Sequence, residues 1–137
     1  MLFPTVRYGE NPPDAVATDT ADSLVGFEVT ELVDEKTVKL WSRGLGRDKE
    51  WEFEEVIQKI EQILSGKSKK LAVSPYPKNM LVMHTDERNL RWRLRSGELS
   101  LKSRLFKKYP HIDQAYLLFS YQPGQETYPY LELKFLP

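Results

Sequence analysis

The stretch over residues 11–32, NPPDAVATDTADSLVGFEVTEL, constrains the fold of this chain more than any other. Asp14 opens a short apolar run, and a polar turn separates that run from a longer one over residues 24–32. In the longer run alternate residues fall on opposite faces of a strand, and Glu28 shares its face with Thr30. A turn this short favours an antiparallel hairpin between the two runs.

Asp14 and Glu28 carry the chemistry of this hairpin. Asp14 starts one strand and Glu28 lies inside the next, so the two carboxylates can converge on one point between neighbouring strands. A hard divalent cation needs a few oxygen ligands of this kind, with room left for water and a phosphate. The pattern therefore predicts a metal site at Asp14 and Glu28.

The arrangement resembles the metal site of the PD-(D/E)XK nuclease superfamily, whose members share the restriction-endonuclease-like fold. In that family an Asp that follows Pro, then an acidic residue and a Lys two positions on, fall on neighbouring strands. Pro13, Asp14 and Glu28 fill the first places, whereas Thr30 stands where the lysine is expected, as in variants with Glu-X-Thr. The resemblance covers residues 2–84 and implies hydrolysis of phosphodiester bonds in DNA with Mg²⁺ as the cofactor.

The resemblance also implies catalytic roles. Asp14 and Glu28 would hold Mg²⁺, and Thr30 would occupy the place of the usual lysine. Because a hydroxyl supplies no positive charge, a basic or polar side chain from the helix after the hairpin is expected to replace it. Gln58 and Lys59 are the candidates, and Lys59 is the predicted catalytic residue.

Length and composition bound the class of protein. A chain of 137 residues is predicted to form one domain, residues 1–137. The absence of cysteine excludes disulfides, thiolate catalysis and thiolate zinc sites. No window approaches the roughly 20 apolar residues of a membrane span, and the start lacks the pattern of a signal peptide. The sequence predicts a cytoplasmic protein with no membrane partner.

Charge is unevenly distributed although the net charge is zero. Residues 1–66 hold 14 Asp and Glu against 7 Lys and Arg, whereas residues 67–109 hold 12 Lys and Arg against 3 Asp and Glu. An acidic part with the candidate metal ligands beside a basic part suits a phosphodiester substrate. Two solvated faces of opposite sign are the alternative interpretation.

Two basic segments are candidates for contacts with a nucleic acid. Arg43 and Arg47 lie in a glycine-containing loop that could sit against a phosphate backbone. Arg91, Arg93 and Arg95 alternate with Leu90, Trp92 and Leu94, which places phosphate contacts beside an aromatic ring for stacking. In both segments the plainer interpretation, a connecting loop and a solvated basic edge, stays open.

The order of the remaining elements predicts an α/β (α+β) fold with a single mixed sheet and packed helices, a restriction-endonuclease-like core and a C-terminal β-hairpin. A helix is predicted over residues 50–65, with Asp48 as its N-cap and Gly66 after its end, and a basic linker over 66–79 is expected to follow it. Residues 35–41 could form either a helical turn or a third strand. A buried strand is predicted over 80–84, parallel to the hairpin strands. A second helix is predicted over 100–109, and the C-terminal hairpin over 115–136.

Three alternatives accompany this interpretation. Glu132 and Lys134 form a literal Glu-X-Lys with Asp113 upstream, but their alternation is typical of the solvated face of an edge strand. The chain could also be a non-catalytic module on a decayed nuclease fold that binds nucleic acid or protein, or a small protein in which the motif has no meaning. The aromatic C-terminal hairpin offers a sheet edge and is compatible with a homodimer.

Overall fold

The structure is a computed structural model that describes residues 5–9, 12–46, 49–87, 90, 101, 103–119 and 130–137. Its main element is one mixed sheet of seven strands, in the order β1-β2-β3-β4-β6-β7-β5. The predicted α+β fold with a single mixed sheet is confirmed. In chain order the described elements are β1 (Thr5–Tyr8), β2 (Ala15–Thr18), β3 (Leu24–Glu31), α1 (Glu35–Ser42), α2 (Phe53–Leu71), β4 (Lys78–Thr85), β5 (Leu105–Phe106), β6 (Gln114–Phe119) and β7 (Tyr130–Phe135).

The central strands pair as the sequence predicted. β2 and β3 are antiparallel, and the turn between them is closed by Asp19, whose Oδ1 accepts the N–H groups of Ala21 and Ser23, both at 2.9 Å. β3 and β4 are parallel, because α2 returns the chain to the end of the sheet at which β3 begins.

One face of the sheet forms the core with α2. A row of paired residues crosses four strands on this face, and its members are Glu28, Leu81, Ala115 and Leu133. The three apolar members pack in one cluster with the apolar stripe of α2, which is made of Val56, Ile57, Ile60, Leu64 and Leu71. Burial of each large side chain contributes roughly 1.5–3 kcal/mol, and this fixes α2 against the row that contains Glu28.

The bounds of α2 differ from the predicted helix over residues 50–65. The helix begins at Phe53 with Glu52 as its N-cap, and it ends at Leu71. Asp48, the predicted N-cap, lies outside the described residues. Gly66, predicted to follow the helix, is an exposed residue inside it, and a Cβ there would meet nothing within 4 Å.

Burial explains why α2 continues past Gly66. Ser68 and Leu71 are buried in the following turn, and Ser68 Oγ donates to the carbonyl of Pro110. These contacts offset the cost of a glycine in a helix, which is about 1 kcal/mol. The extension places Lys67 and Lys70 on the helix, in a segment that the sequence predicted to be a linker.

α1 settles an alternative that the sequence left open, because residues 35–41 form a helix and not a third strand. Asp34 caps it, and its Oδ2 accepts the N–H and the hydroxyl of Thr37 at 3.1 and 2.7 Å. Gly44, with φ +72°, follows the C-cap in the left-handed conformation that terminates helices. None of the residues of α1 is buried.

The C-terminal part confirms one prediction and corrects another. β6 and β7 pair antiparallel, as predicted for the C-terminal hairpin; its turn lies outside the described residues. The helix predicted over residues 100–109 was wrong in its second half, since Leu105 and Phe106 form β5 and pair with β7. Phe106 is buried there, so a long-range pairing overrides the local helical pattern.

The residues of the alternative Glu-X-Lys site lie apart from any buried cluster. Glu132 and Lys134 are exposed on β7, as their alternation predicted. Asp113, which directly precedes β6, contacts Asn79 of β4: its Oδ2 accepts the N–H of Asn79 at 2.8 Å, and its own N–H donates to the carbonyl of Asn79 at 2.9 Å.

Among the helices that the structure describes, none combines the length and the apolar character required to cross a membrane.

Candidate functional site

Glu28 is the polar exception in an apolar row of the sheet. It lies in the middle of β3 with 0% of its surface exposed, and its partner on β4, Leu81, is equally buried. A carboxylate in such a place is costly unless it is paired, because burial removes its hydration. What surrounds Glu28 therefore decides whether the residue stabilises the fold or serves a site.

Two lysines from α2 contact one oxygen of Glu28. The ammonium groups of Lys67 and Lys70 each lie 2.9 Å from Glu28 Oε2. They are three positions apart on the helix, so their side chains leave the same face. The hydrogen bond to Glu28 raises the pKa of Lys70, and the charges of Glu28 and Asp14 act in the same direction. The Lys67 side chain is 22% exposed and that of Lys70 39% exposed.

The second oxygen of Glu28 is left without a partner. Glu28 Oε1 is buried and accepts no hydrogen bond in the structure. Buried polar atoms are nearly always satisfied, so each exception calls for an explanation such as an ion or a ligand. Because both lysines contact Oε2, Oε1 keeps its capacity to accept a hydrogen bond or to ligate a cation.

Asp14 completes the arrangement from the neighbouring strand. It directly precedes Ala15, whose partner Phe27 directly precedes Glu28, so the register brings Asp14 beside Glu28. Asp14 Oδ2 accepts the N–H of Val29 at 2.8 Å, which holds this half-buried carboxylate against β3. Its charge also reaches Lys70.

Gly26 allows the loop before Asp14 to lie close to β3. A Cβ at Gly26 would lie 2.5 Å from Asn79 Oδ1 and 2.9 Å from Pro13 Cγ. Any larger residue would displace one of these neighbours. Close packing of Pro13 thus contributes to the position of Asp14, together with the bond from its carboxylate to Val29.

Two carboxylates are available here as candidate ligands for a hard divalent cation, which prefers oxygen ligands. The candidate ligands are Glu28 Oε1, which has no other partner, and Asp14, whose Oδ2 is already held by the backbone. Among the described residues no group of three or more His, Asp or Glu side chains converges on one point. Backbone carbonyls, water and a phosphate oxygen would complete a coordination shell of six, as is common for Mg²⁺.

The other predicted catalytic residues occupy different positions. Thr30 is half-buried, two residues after Glu28 on the same face, opposite Met83. Lys59 lies eight residues before Lys67 on α2, about 12 Å along the helix axis, and its charge lowers the pKa of Asp34. The described lysines that contact Glu28 are Lys67 and Lys70.

Of the predicted nucleic-acid contacts, only Arg43 falls within the described residues. It is the exposed C-cap of α1. Arg47, Arg91, Arg93 and Arg95 lie outside the part of the chain that the structure describes, and their roles stay predictions.

Sequence reasoning missed Lys67 and Lys70 because it ended the helix at Gly66. One signal could have found them: Leu71 continues the apolar spacing of Ile60 and Leu64 at helical intervals beyond the glycine. Extending the stripe to Leu71 would have placed both lysines on one side of the helix.

A second charged cluster lies at the start of α1 and is fully engaged within the protein. Glu87 Oε1 accepts the N–H of Asp34 at 2.8 Å, and its Oε2 accepts the indole N–H of Trp51. Lys49 pairs with Glu55 at 2.9 Å and lies 5.1 Å from the centre of the Trp51 ring. These contacts tie the loop before α2 to the end of β4.

Two concavities of the described surface lie away from Glu28. One, of about 280 Å³, is lined at the starts of β4 and β6 by residues that include Lys78, Met80 and Asp113. These residues do not include Glu28.

The chain matches no protein-family model, no curated protein and no solved structure.

Proposed function

We propose that this protein hydrolyses phosphodiester bonds in DNA with Mg²⁺ as its cofactor, on a restriction-endonuclease-like fold. The observation that carries the proposal is Glu28: a fully buried carboxylate with two ammonium groups on one oxygen and no partner on the other. Asp14, from the adjacent strand, supplies the second carboxylate. The function is read from this site, because the comparisons with known proteins add nothing to it.

Lys67 and Lys70 fill the role that Thr30 cannot. In the resemblance to PD-(D/E)XK nucleases a lysine near the scissile phosphate accompanies the two acidic residues. Here two ammonium groups reach the same carboxylate from α2. Their positive charge stabilises the negative charge that develops on the phosphate oxygens during hydrolysis.

The described residues divide the chemistry as follows. Glu28 Oε1 and Asp14 would hold the cation, which would activate water as the nucleophile and offset negative charge on the phosphate oxygens. Lys70, the more exposed of the two lysines, binds a non-bridging phosphate oxygen. Lys67 keeps Glu28 oriented from the inner side of the site.

Substrate contacts outside the site stay proposals from charge. The basic segment over residues 67–109 suits a polyanionic backbone. We assign phosphate contacts to Arg43, exposed at the end of α1, and to Arg47, Arg91, Arg93 and Arg95. A cytoplasmic location and a homodimer remain predictions from the sequence.

The test is cleavage of plasmid DNA by purified protein with Mg²⁺, Mn²⁺ or EDTA. We expect cation-dependent cleavage that is lost in Asp14→Asn and in Glu28→Gln. Glu132→Gln is the matched control, because Glu132 is an exposed carboxylate in the chain's own Glu-X-Lys sequence. Equal cleavage by wild type and Glu28→Gln, or none by any folded form, would contradict the proposal.

A binding module without catalysis is the second candidate, and one observation favours it. The two ammonium groups on Glu28 Oε2 already balance the charges of Glu28 and Asp14 in the absence of a cation. Under this alternative the protein binds DNA in EDTA with the same affinity as in Mg²⁺ and leaves it uncut. Fluorescence anisotropy with a labelled duplex, run beside the cleavage assay, separates the two functions.

A further inference from the structure

We infer that Lys67 and Lys70 couple the binding of the cation to the binding of a phosphodiester, so that the site takes up the two together and holds either one weakly alone. The inference rests on the proposed function and adds a rule for how that site is loaded.

The charges in the site are balanced before any ligand arrives. The ammonium groups of Lys67 and Lys70 contact the carboxylate of Glu28, and the charge of a second carboxylate, Asp14, acts on Lys70. Sites that bind divalent cations on their own usually present a surplus of carboxylate charge. This site offers free acceptor capacity at Glu28 Oε1 but no surplus of negative charge.

The positions of Lys67 and Lys70 mean that both ammonium groups would repel a cation bound to Glu28. Both ammonium groups contact Oε2, the partner oxygen in the same carboxylate as the free Oε1. A cation held at Oε1 would therefore lie within a few ångströms of two positive charges. Since Glu28 is fully buried and Lys67 is mostly buried, water and salt screen this repulsion poorly.

A bound phosphodiester would offset the positive charge that the cation adds to the site. It carries one negative charge on two non-bridging oxygens, which can accept hydrogen bonds from an ammonium group while one of them ligates a cation. The 39% exposure of Lys70 gives its ammonium group access to such a ligand without leaving the site. By linkage, the factor by which the phosphodiester strengthens cation binding equals the factor by which the cation strengthens phosphodiester binding.

The experiment measures Mn²⁺ binding from the paramagnetic resonance signal of free Mn²⁺, with three forms of the sample. The protein is titrated alone, with the thymidine dinucleotide TpT, and with the uncharged methylphosphonate analogue of TpT. We expect TpT to raise the affinity for Mn²⁺ by about tenfold or more, within the usual range of coupling factors. The methylphosphonate, which has the same shape and no charge, should leave the affinity unchanged.

Variants test the source of the coupling. In Lys67→Ala/Lys70→Ala, Mn²⁺ alone should bind more tightly than in wild type, and the effect of TpT should fall towards none. Lys69→Ala is the matched control, because Lys69 is an exposed lysine on another side of the same helix turn. The comparison of the two dinucleotides uses wild-type protein, so it decides the inference even where the double variant fails to fold.

The outcomes separate this inference from the proposed function. Equal Mn²⁺ affinity with and without TpT, with binding lost in Glu28→Gln, would overturn the coupling and leave the nuclease proposal standing. Weaker Mn²⁺ binding in the folded double variant would also overturn it, since the lysines would then assist the cation. No Mn²⁺ binding in any sample, including one with duplex DNA, would remove both proposals.

Discussion

Two charged clusters of this protein contain similar residues but differ in how their carboxylate oxygens are satisfied. At the start of α1, both carboxylate oxygens of Glu87 accept hydrogen bonds, one from the Asp34 backbone and one from the Trp51 indole. At the middle of β3, one oxygen of Glu28 holds two ammonium groups and the other holds nothing. Glu87 is half-buried just past the end of β4, whereas Glu28 is fully buried.

The difference indicates how a structural cluster and a binding site can be told apart. A cluster that serves the fold saturates its acceptors, because each unsatisfied buried polar atom costs about 1–3 kcal/mol. A buried carboxylate with one saturated and one unsatisfied oxygen keeps that cost in the unliganded protein. Replacing buried charges by apolar residues is often neutral or stabilising, so stability alone gives little reason for Glu28.

The largest expected effect is the loss of DNA cleavage on substitution of Glu28. Glu28→Gln should lower cation-dependent DNA cleavage on the order of 10³-fold, because it removes a cation ligand that contributes several kcal/mol to the transition state. Glu87→Gln should leave the cleavage rate per folded molecule unchanged. Cleavage rates measured beside urea denaturation of both variants check this pair, and similar losses of activity in both would erase the distinction between the clusters.

Next in size is the anchoring of the helix turn that carries the two lysines. Leu71→Ala should lower the free energy of unfolding by about 2–5 kcal/mol, since Leu71 is 1% exposed and its loss leaves a cavity. Val73→Ala, two residues beyond the helix and 74% exposed, is the control. Urea denaturation measures both, and equal stability of the two variants would mean that α2 does not depend on burial after Gly66.

The cap of α1 provides a pH-dependent test of the structural cluster. Burial raises the pKa of Asp34, but hydrogen bonds from Thr37 and the charges of Lys49 and Lys59 outweigh it, so the net pKa lies below 3.8. A folded pKa below the unfolded one stabilises the protein above about pH 4, and this contribution is lost as pH falls through the folded pKa.

Asp34→Ala should therefore lower the free energy of unfolding by about 1 kcal/mol at pH 7, and the gap to wild type should shrink below pH 4. Asp34→Asn keeps the capping geometry without the charge and should show the smaller loss. Denaturation curves from pH 3 to 7 measure this, and a gap that widens towards low pH would contradict the direction of the shift.

The smallest effects on the free energy of unfolding are expected for substitutions of Gly66 and Gly44, and they have opposite signs. Gly66→Ala should raise the free energy of unfolding by about 0.5–1 kcal/mol, because alanine is the better helix former and the new methyl meets open space. Gly44→Ala should lower it, because Gly44 has a φ of +72°. Circular dichroism during thermal unfolding distinguishes the two signs, and destabilisation by Gly66→Ala would mean that the helix is interrupted there.

Patterns among neighbouring residues were enough to predict several of the strands and helices. Alternation and a short turn predicted the β2–β3 hairpin, and the apolar stripe predicted most of α2. The helix between two strands predicted that β4 runs parallel to β3. The position of Asp14 directly before β2, next to Glu28 of β3 in the register, followed from the same local patterns.

Contacts between distant segments could not be predicted in this way, because they depend on the tertiary packing. The end of α2 depends on the burial of Ser68 and Leu71, and this long-range contact brings Lys67 and Lys70 to Glu28. In the same way, pairing with β7 made Leu105 and Phe106 a strand. Periodicity along the chain reports the face on which a side chain lies, whereas its partners are set by packing between distant segments, which no local pattern encodes.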